Sequence, residues 1–137
     1  MKKIIIFLVV SIMTNVASSQ SLNSNASYIK NNYETEYENI IKKHALNEWK
    51  DDFSMVVYEI NKQADALIEL IGAFKSENTN IAYKAIQEWS FDGYQSFNIN
   101  IFKEMKSFGL KDLVKMQCDW TMVKYEYLKQ AKAKNAF

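Results

Sequence analysis

The sequence predicts an all-α fold: a small helical bundle built from two duplicated helical hairpins joined by a connecting helix. Three observations support this prediction. The chain of 137 residues has no proline and three glycines, which is too little turn punctuation for a sandwich or barrel of many short strands. Apolar residues recur at the spacing of one helix face in several segments. A stretch of fifteen residues also occurs twice, at 52–66 and at 119–133.

The repeated stretch reads DFSMVVYEINKQADA in the first copy and DWTMVKYEYLKQAKA in the second, and nine positions are identical. Average residue usage would give roughly one chance identity in such a window. The match therefore indicates a duplicated structural unit rather than a shared composition.

The first nineteen residues have the pattern of a signal peptide. Lys2 and Lys3 precede an apolar run over residues 4–13, and a short polar stretch with small residues ends at Ser19. The apolar run is about half the roughly 20 residues that a membrane-spanning helix needs. We therefore expect cleavage after residue 19, and a single soluble all-helical domain over residues 20–137 that is exported to the periplasm or secreted.

Each copy of the repeat carries an apolar stripe typical of a buried helix face. At 100° per residue, the stripe of the first copy falls within a sector about 80° wide. The sequence predicts a continuous helix for each copy. The stripes consist of Leu46, Trp49, Phe53, Val56, Ile60, Ala64, Leu67 and Ile71, and of Leu113, Met116, Trp120, Val123, Tyr127 and Ala131.

A further helix is predicted before each copy. Tyr33, Tyr37, Ile40 and His44 form a stripe that points away from the one beginning at Leu46, so we expect a break near residues 44–48. Before the second copy, a helical stripe ends at Gly109, a residue type that favours helix termination. That stripe consists of Phe97, Ile101, Met105 and Phe108.

The connecting helix is predicted between the copies. Asn78 or Thr79 is placed to accept hydrogen bonds from the first free amides of this helix. Its apolar residues are Ala82, Ala85, Ile86 and Trp89. Asp92-Gly93 then marks either a β-hairpin or, as the continuing helical stripe favours, a break between helices.

Residues of the first copy resemble a W-x-x-D-[FY]-x-M-x-x-Y-x-x-x-x-Q pattern found in short exported or lipid-anchored bacterial proteins of uncharacterised function. The matching residues are Trp49, Asp52, Phe53, Met55, Tyr58 and Gln63. In those proteins a proline often follows the tryptophan and a cysteine the tyrosine, whereas this chain has Lys50 and Glu59 there, and Gln117 and Glu126 in the second copy. Met116 replaces the tryptophan of the second copy. The resemblance implies an exported helical module and no activity.

The repeated polar residues are the candidate interaction face. In each copy they share a sector about 120° around the helix from the core stripe. The alternative is a structural role, in which the glutamates make local helix pairs with lysine or glutamine and the two helices contact each other. The face consists of Asp52, Met55, Glu59 and Lys62 in the first copy, and of Asp119, Met122, Glu126 and Lys129 in the second.

The sequence argues against several chemistries. All seventeen basic residues are lysines, so the planar fork with which arginine reads phosphates and guanines is missing, and we expect no nucleic-acid partner. His44 and Cys118 are too few for a structural zinc site, and Ile41 stands where a Glu-x-x-His motif would place its glutamate. We therefore expect no metal, cofactor or catalytic residues, and no enzymatic activity.

Two functional classes remain. The first is an exported protein that binds a protein partner through tyrosine-rich surface, using Tyr28, Tyr33, Tyr37, Tyr83 and Tyr94. The alternative is a bundle with an aromatic-lined cavity for a small apolar ligand, between Trp49, Trp89 and Trp120. Because no long heptad seam is present, we expect a monomer under reducing conditions. Cys118 is the single thiol and has no partner for an internal disulfide.

Overall fold

A computed structural model describes residues 21–91 and 109–137. In these ranges the chain is helical, and its β-pairing is one isolated bridge between Ser90 and Cys118. The all-α prediction is confirmed. The helices are α1 (Ser24–Asn32), α2 (Glu34–Glu36), a π-helix (Tyr37–Lys42), α3 (Lys43–Trp49), α4 (Phe53–Leu70), a 3-10 helix (Ile71–Lys75), α5 (Thr79–Glu88), α6 (Leu110–Leu113) and α7 (Trp120–Asn135).

Several predictions concern residues outside the described ranges. They are the signal peptide at 1–19, the Asp92-Gly93 alternatives, and the helix over 97–108 before the second copy. Among the described helices, none combines the length and the apolar character needed to cross a bilayer.

The two copies of the repeat begin in the same way. Asp52 precedes α4 and its Oδ1 accepts a hydrogen bond from the Met55 N–H at 3.3 Å. Asp119 precedes α7 and accepts from the Met122 N–H, also at 3.3 Å. Each aspartate therefore caps its helix by satisfying one of the four amides that have no partner within the helix.

The first predicted stripe is interrupted just before α4. The break lies at residues 50–52, later than the predicted 44–48, and Lys50 adopts a φ of +55° that non-glycine residues rarely take. Because this turn redirects the chain, Phe53, which precedes Val56 in the predicted stripe, does not continue the buried face. Phe53 is 67% exposed, so its predicted core position is wrong. A proline, which fixes φ near −65°, is incompatible with the conformation of Lys50.

The second predicted stripe is also interrupted. Leu113 and Met116 are buried as expected, but they lie before the helix that begins at Trp120. The intervening backbone bonds to another part of the chain: the Phe91 N–H donates to the Gln117 carbonyl at 2.7 Å, and the Asp119 N–H to the Trp89 carbonyl at 3.1 Å. These bonds replace the intrahelical ones that a continuous helix would form.

The segment before α4 departs from an ideal helical stripe. Its first part, α1, was not predicted, and the π-helix then shifts the buried face by one residue. Tyr37, Ile41 and Ala45 are buried, whereas Ile40 and His44 of the predicted stripe are only partly so. An extra residue per turn is the expected consequence of π-helical bonding.

The start of α5 uses other groups than those predicted. Ser76 Oγ accepts from the Asn78 N–H at 3.1 Å, while the Thr79 hydroxyl donates to the Ser76 carbonyl at 2.7 Å. The helix itself begins at Thr79, with Asn78, one of the two predicted capping residues, preceding it.

Helix α4 is central in the described structure. It contacts α1, α3 and α7, while α7 also contacts α5. Residues from each of these helices are removed from solvent in one core. Its members include Ile29, Ala45, Ile60, Leu67, Ala82, Ile86, Leu113 and Val123.

Candidate functional site

The side chain of Gln63 joins the two copies of the repeat and is 1% exposed. Its Nε2 donates to Glu59 Oε2 and to Asp119 Oδ1, both at 2.8 Å. Its Oε1 accepts from the Trp120 N–H at 2.6 Å. Two acceptor carboxylates on one side and a donor amide on the other allow only this orientation of the side chain. Gln63 thus completes the cap of α7 by satisfying the first amide of that helix.

Gln130 is the counterpart of Gln63 in the second copy. Its Nε2 donates to Glu126 Oε2 at 2.7 Å, reproducing the bond between Gln63 and Glu59. Within the described residues it makes no second hydrogen bond, and the residue is exposed. The hydrogen bond from Gln130 is the main cause that holds the pKa of Glu126 below its usual value. The hydrogen bond and the positive charge of Lys129 also lower this pKa.

The face of α7 around Gln130 lines a groove against α5, which we call the α5–α7 groove. Its volume is about 440 Å³. Apolar surface makes up most of its walls, but polar and charged side chains also line it. The apolar side chains are Ile81, Ala85, Ala133 and Phe137, and the polar or charged ones are Lys84, Glu88, Glu126, Gln130 and Lys134. Such a groove suits a partner that offers an apolar side chain beside hydrogen-bonding and charged groups.

Lysine and tyrosine side chains form a second repeated arrangement. The Lys62 ammonium lies 5.2 Å from the Tyr58 ring centroid, and Lys129 lies 5.8 Å from that of Tyr125. Each lysine also approaches the glutamate three residues before it, at 3.6 Å for Lys62 and 3.3 Å for Lys129. The repeated Tyr-Glu-x-x-Lys-Gln sequence therefore makes the same local cluster twice, through cation–π and ionic contacts.

The residues of the predicted interaction face have different roles in the structure. Asp52 and Asp119 are helix caps. Met55 and Met122 are partly buried, and Lys62 and Lys129 lie at the edge of the clusters.

The two glutamates of that face are not exposed. Glu59 is 4% exposed and Glu126 is 9% exposed. Both glutamates nevertheless make the local helix pairs of the structural alternative, Glu59 with Gln63 and Lys62 and Glu126 with Gln130 and Lys129. The start of α7 covers this side of α4, and His44 on α3 lies beside Glu59 as well.

The predicted tyrosine surface is only partly present. Tyr37 and Tyr83 are 3% exposed and belong to the core, while Tyr28 is half exposed and Tyr33 is partly buried. Burial raises the pKa of both core phenols, with Glu38 adding to the effect at Tyr37. Tyr94 lies outside the described residues.

Most of the exposed aromatic side chains among the described residues lie outside the predicted tyrosine surface. Tyr58 and Tyr125 are 50% and 58% exposed at equivalent repeat positions, and Phe53 and Phe137 are more exposed still. Among the described residues, the exposed aromatic side chains are therefore mostly on the two repeated helices and at Phe137, with Tyr28 on α1.

The tryptophans do not surround either concavity that we describe. Trp120 is fully buried, and Trp49 and Trp89 are partly buried against the core. Neither the α5–α7 groove nor a smaller hollow of about 280 Å³ beside His44 has a tryptophan in its lining. The prediction of an aromatic-lined ligand cavity has no support in these two places.

His44, Glu48 and Glu59 bring an imidazole and two carboxylates within 4.8 Å of one another. The predictions from the sequence do not include this cluster, although His44 and Glu48 have the i, i+4 spacing that places two ligands on one helix face. Both oxygens of Glu59 are already engaged, one by Gln63 and the other by Lys62. A divalent ion would have to displace Lys62, so the geometry favours the hydrogen-bond network over a metal site.

Cys118 is buried beside the cap of α7. Burial, followed by the charge of Asp119, raises the pKa of its thiol to about 12. The thiolate is the reactive form, so this cysteine is poorly suited to nucleophilic chemistry or to a disulfide with another molecule.

Gln63 and Gln130 are the site residues that the predicted interaction face omits. A signal for them was present, because the glutamine is identical in both copies. Its importance depends on contacts between residues 56 positions apart, which helix periodicity does not reveal.

Comparison of the chain with protein-family models, with curated proteins and with solved structures gave no match.

Proposed function

We propose that the chain is a non-enzymatic interaction module that holds a partner protein in the α5–α7 groove. The main observation behind this proposal is that Gln63 and Gln130, which occupy equivalent positions of the repeat, have different surroundings. Gln63 is covered by the start of a helix, whereas Gln130, bonded to its glutamate in the same way, faces an open groove.

The contacts that Gln63 makes inside the chain indicate the kind of partner that Gln130 would bind. Gln63 accepts from a first helical amide and donates to the aspartate that caps the same helix. The large side chain that follows this aspartate, Trp120, is buried in the contact region. A partner for Gln130 is therefore a helix that begins with aspartate and an aromatic residue, the aromatic side chain entering the apolar part of the groove.

We also propose that the module acts after export, in the periplasm or outside the cell. The Lys2–Lys3 pair and the apolar run over 4–13 support this proposal. N-terminal sequencing of the chain from the envelope and the medium should begin at Gln20 or within a few residues of it. A full-length product confined to the cytoplasm would refute export.

A photocrosslinking experiment tests the groove. A photoreactive phenylalanine derivative replaces Ala133 inside the groove, and the same derivative replaces Leu128 as a control. Leu128 lies on the same helix, is 53% exposed and does not line the groove. Illumination in the native envelope fraction should give a discrete protein adduct from position 133 only, and Gln130→Ala should weaken it.

Equal adducts from both positions, or an adduct that Gln130→Ala leaves unchanged, would contradict the proposal. Native mass spectrometry of the purified chain serves as the second readout. A small molecule retained in the groove, with no protein adduct from position 133, would support the alternative of a ligand-binding bundle.

A further inference from the structure

The contact between the two copies provides a template for a contact between two molecules. One half of the template is the face of α4 made by Glu59, Gln63, Ala66 and Leu70, each of which is at most 4% exposed. The other half is the start of α7, where Asp119 and Trp120 meet Gln63. Both halves recur in the sequence, since each belongs to a repeated helix.

The first half recurs in the second copy, where it is partly uncovered. The equivalent positions are Glu126, Gln130 and Ala133 on α7 and Phe137 two residues beyond it, and all four line the α5–α7 groove. Glu126 is buried like Glu59, but Gln130, Ala133 and Phe137 are exposed where Gln63, Ala66 and Leu70 are buried. Beyond the glutamate, this face is thus closed in the first copy and open in the second.

The second half recurs uncovered at the start of α4. Asp52 and Phe53 occupy the positions of Asp119 and Trp120. Trp120 is 1% exposed, whereas Phe53 is 67% exposed. Within the described residues, no side chain accepts a hydrogen bond from the Phe53 N–H, although Asp52 caps this helix as Asp119 caps α7.

We propose that the start of α4 in one molecule docks in the α5–α7 groove of another, repeating the contact that Gln63 makes inside the chain. This inference rests on the proposed function and names the partner as a second copy of the chain. Gln130 Oε1 would accept from the Phe53 N–H of the second molecule, and Gln130 Nε2 would donate to its Asp52. The Phe53 ring would enter the groove between α5 and α7.

The charges around the two surfaces are compatible with this contact. Asp51 and Asp52 are both exposed at the start of α4, and the groove has Lys84 and Lys134 along its sides together with Glu88. The Glu126 carboxylate is already held by Gln130 and Lys129, as Glu59 is by Gln63 and Lys62. An arriving aspartate therefore meets the same pairing of glutamine and bonded glutamate that Asp119 meets inside the chain.

The contact is heterologous, because the two surfaces that meet are different parts of the chain. After the first contact forms, one molecule keeps a free groove and the other keeps a free helix start. The association is therefore open-ended unless the geometry closes a ring. The sequence predicts a monomer under reducing conditions, and this proposal replaces that prediction with reversible, concentration-dependent association.

Sedimentation of the purified chain under reducing conditions tests the proposal. The weight-average mass should rise with concentration over the micromolar to millimolar range. Phe53→Ala and Gln130→Ala should each weaken association by at least about tenfold, since each removes a central contact. Leu128→Ala, at an exposed position of α7 outside the groove, should leave it unchanged. Circular dichroism checks that each variant is folded.

Mixing the two variants gives the decisive result. Phe53→Ala retains an intact groove and Gln130→Ala retains an intact helix start, so the mixture should form heterodimers and stop at that size. A chain that stays monomeric at millimolar concentration, variants that associate like the wild type, or a mixture that fails to associate would overturn the inference.

These outcomes are separable from those of the photocrosslinking experiment. An adduct between position 133 and a different envelope protein, with a monomeric purified chain, would keep the proposed function and refute self-association. An adduct between two copies of the chain would support both. No adduct together with no self-association would refute both.

Discussion

Replacing Gln63 with alanine is the sharpest test of the polar contact between the two copies. The substitution removes one donor group shared by two carboxylates and the acceptor of the Trp120 N–H, in a side chain that is 1% exposed. A hydrogen bond to a charged group contributes about 1.5–3 kcal/mol, and an unsatisfied buried donor costs about 1–3 kcal/mol. Because these terms share one amide and are not additive, we expect a loss of about 3–5 kcal/mol of unfolding free energy.

Gln130→Ala is the matched control, because it makes the same chemical change at the equivalent position of an exposed helix face. We expect it to cost well under half as much, since one hydrogen bond is lost and water can replace it. Urea unfolding followed by circular dichroism measures both variants, and the slope of the transition shows whether the two-state assumption holds. Equal losses for the two variants, or a loss below about 1 kcal/mol for Gln63→Ala, would refute the assigned role of Gln63.

Three further predictions follow from burial and pKa. Trp120→Ala should cost about 3–5 kcal/mol as a large-to-small core change, whereas Phe53→Ala at the equivalent exposed position should cost less than about 1 kcal/mol in urea unfolding; equal costs would place Phe53 in the core. The lowered pKa of Glu126 means that its contribution to stability is present above the unfolded-state pKa and is lost as the pH falls through the folded-state pKa. Gln130→Ala should move that pKa back toward its usual value in a carboxylate NMR titration, and an unchanged titration would show that Gln130 is not the main cause. Cys118, with a pKa raised to about 12, should react with a thiol reagent at pH 8 at least about tenfold more slowly in the folded chain than in urea, and similar rates would contradict its burial.

The sequence predicts helices well where the apolar period is uninterrupted. Both repeated segments are helical from the residue after their aspartate, and the connecting helix begins next to Asn78, one of its two predicted capping residues. Periodicity is a local signal, and these elements satisfy their hydrogen bonds locally. The aspartate caps follow from the same local chemistry.

The departures arise where an irregular turn or a contact distant in sequence interrupts the helical stripe. Phe53 was predicted to be buried because its spacing fits the stripe, but the turn at Lys50 ends that stripe. After Met116, the backbone of residues 117–119 bonds to Trp89 and Phe91 instead of continuing a helix. Neither feature has a periodic signature in the sequence.

The candidate site was also predictable only in part. The identity of the two copies indicates the importance of the glutamates, but not that Glu59 is covered by α7 while the groove beside Glu126 is open. The two copies have different environments here because the start of α7 covers the Gln63 side of α4. Within the described residues, α7 packs against α4 and α5, and its Gln130 side lines the open α5–α7 groove.

The most direct test of the open groove compares the side-chain amides of Gln63 and Gln130 by ¹H–¹⁵N NMR. In a dilute sample, the Gln130 amide protons should exchange rapidly with water, while those of Gln63 are protected by two hydrogen bonds and burial. On concentration, or when the partner is added, the Gln130 signals should shift and become protected while the Gln63 signals stay unchanged. A Gln130 amide that is already as protected as Gln63 in the dilute monomer would contradict the account, because the groove would then be closed within the chain.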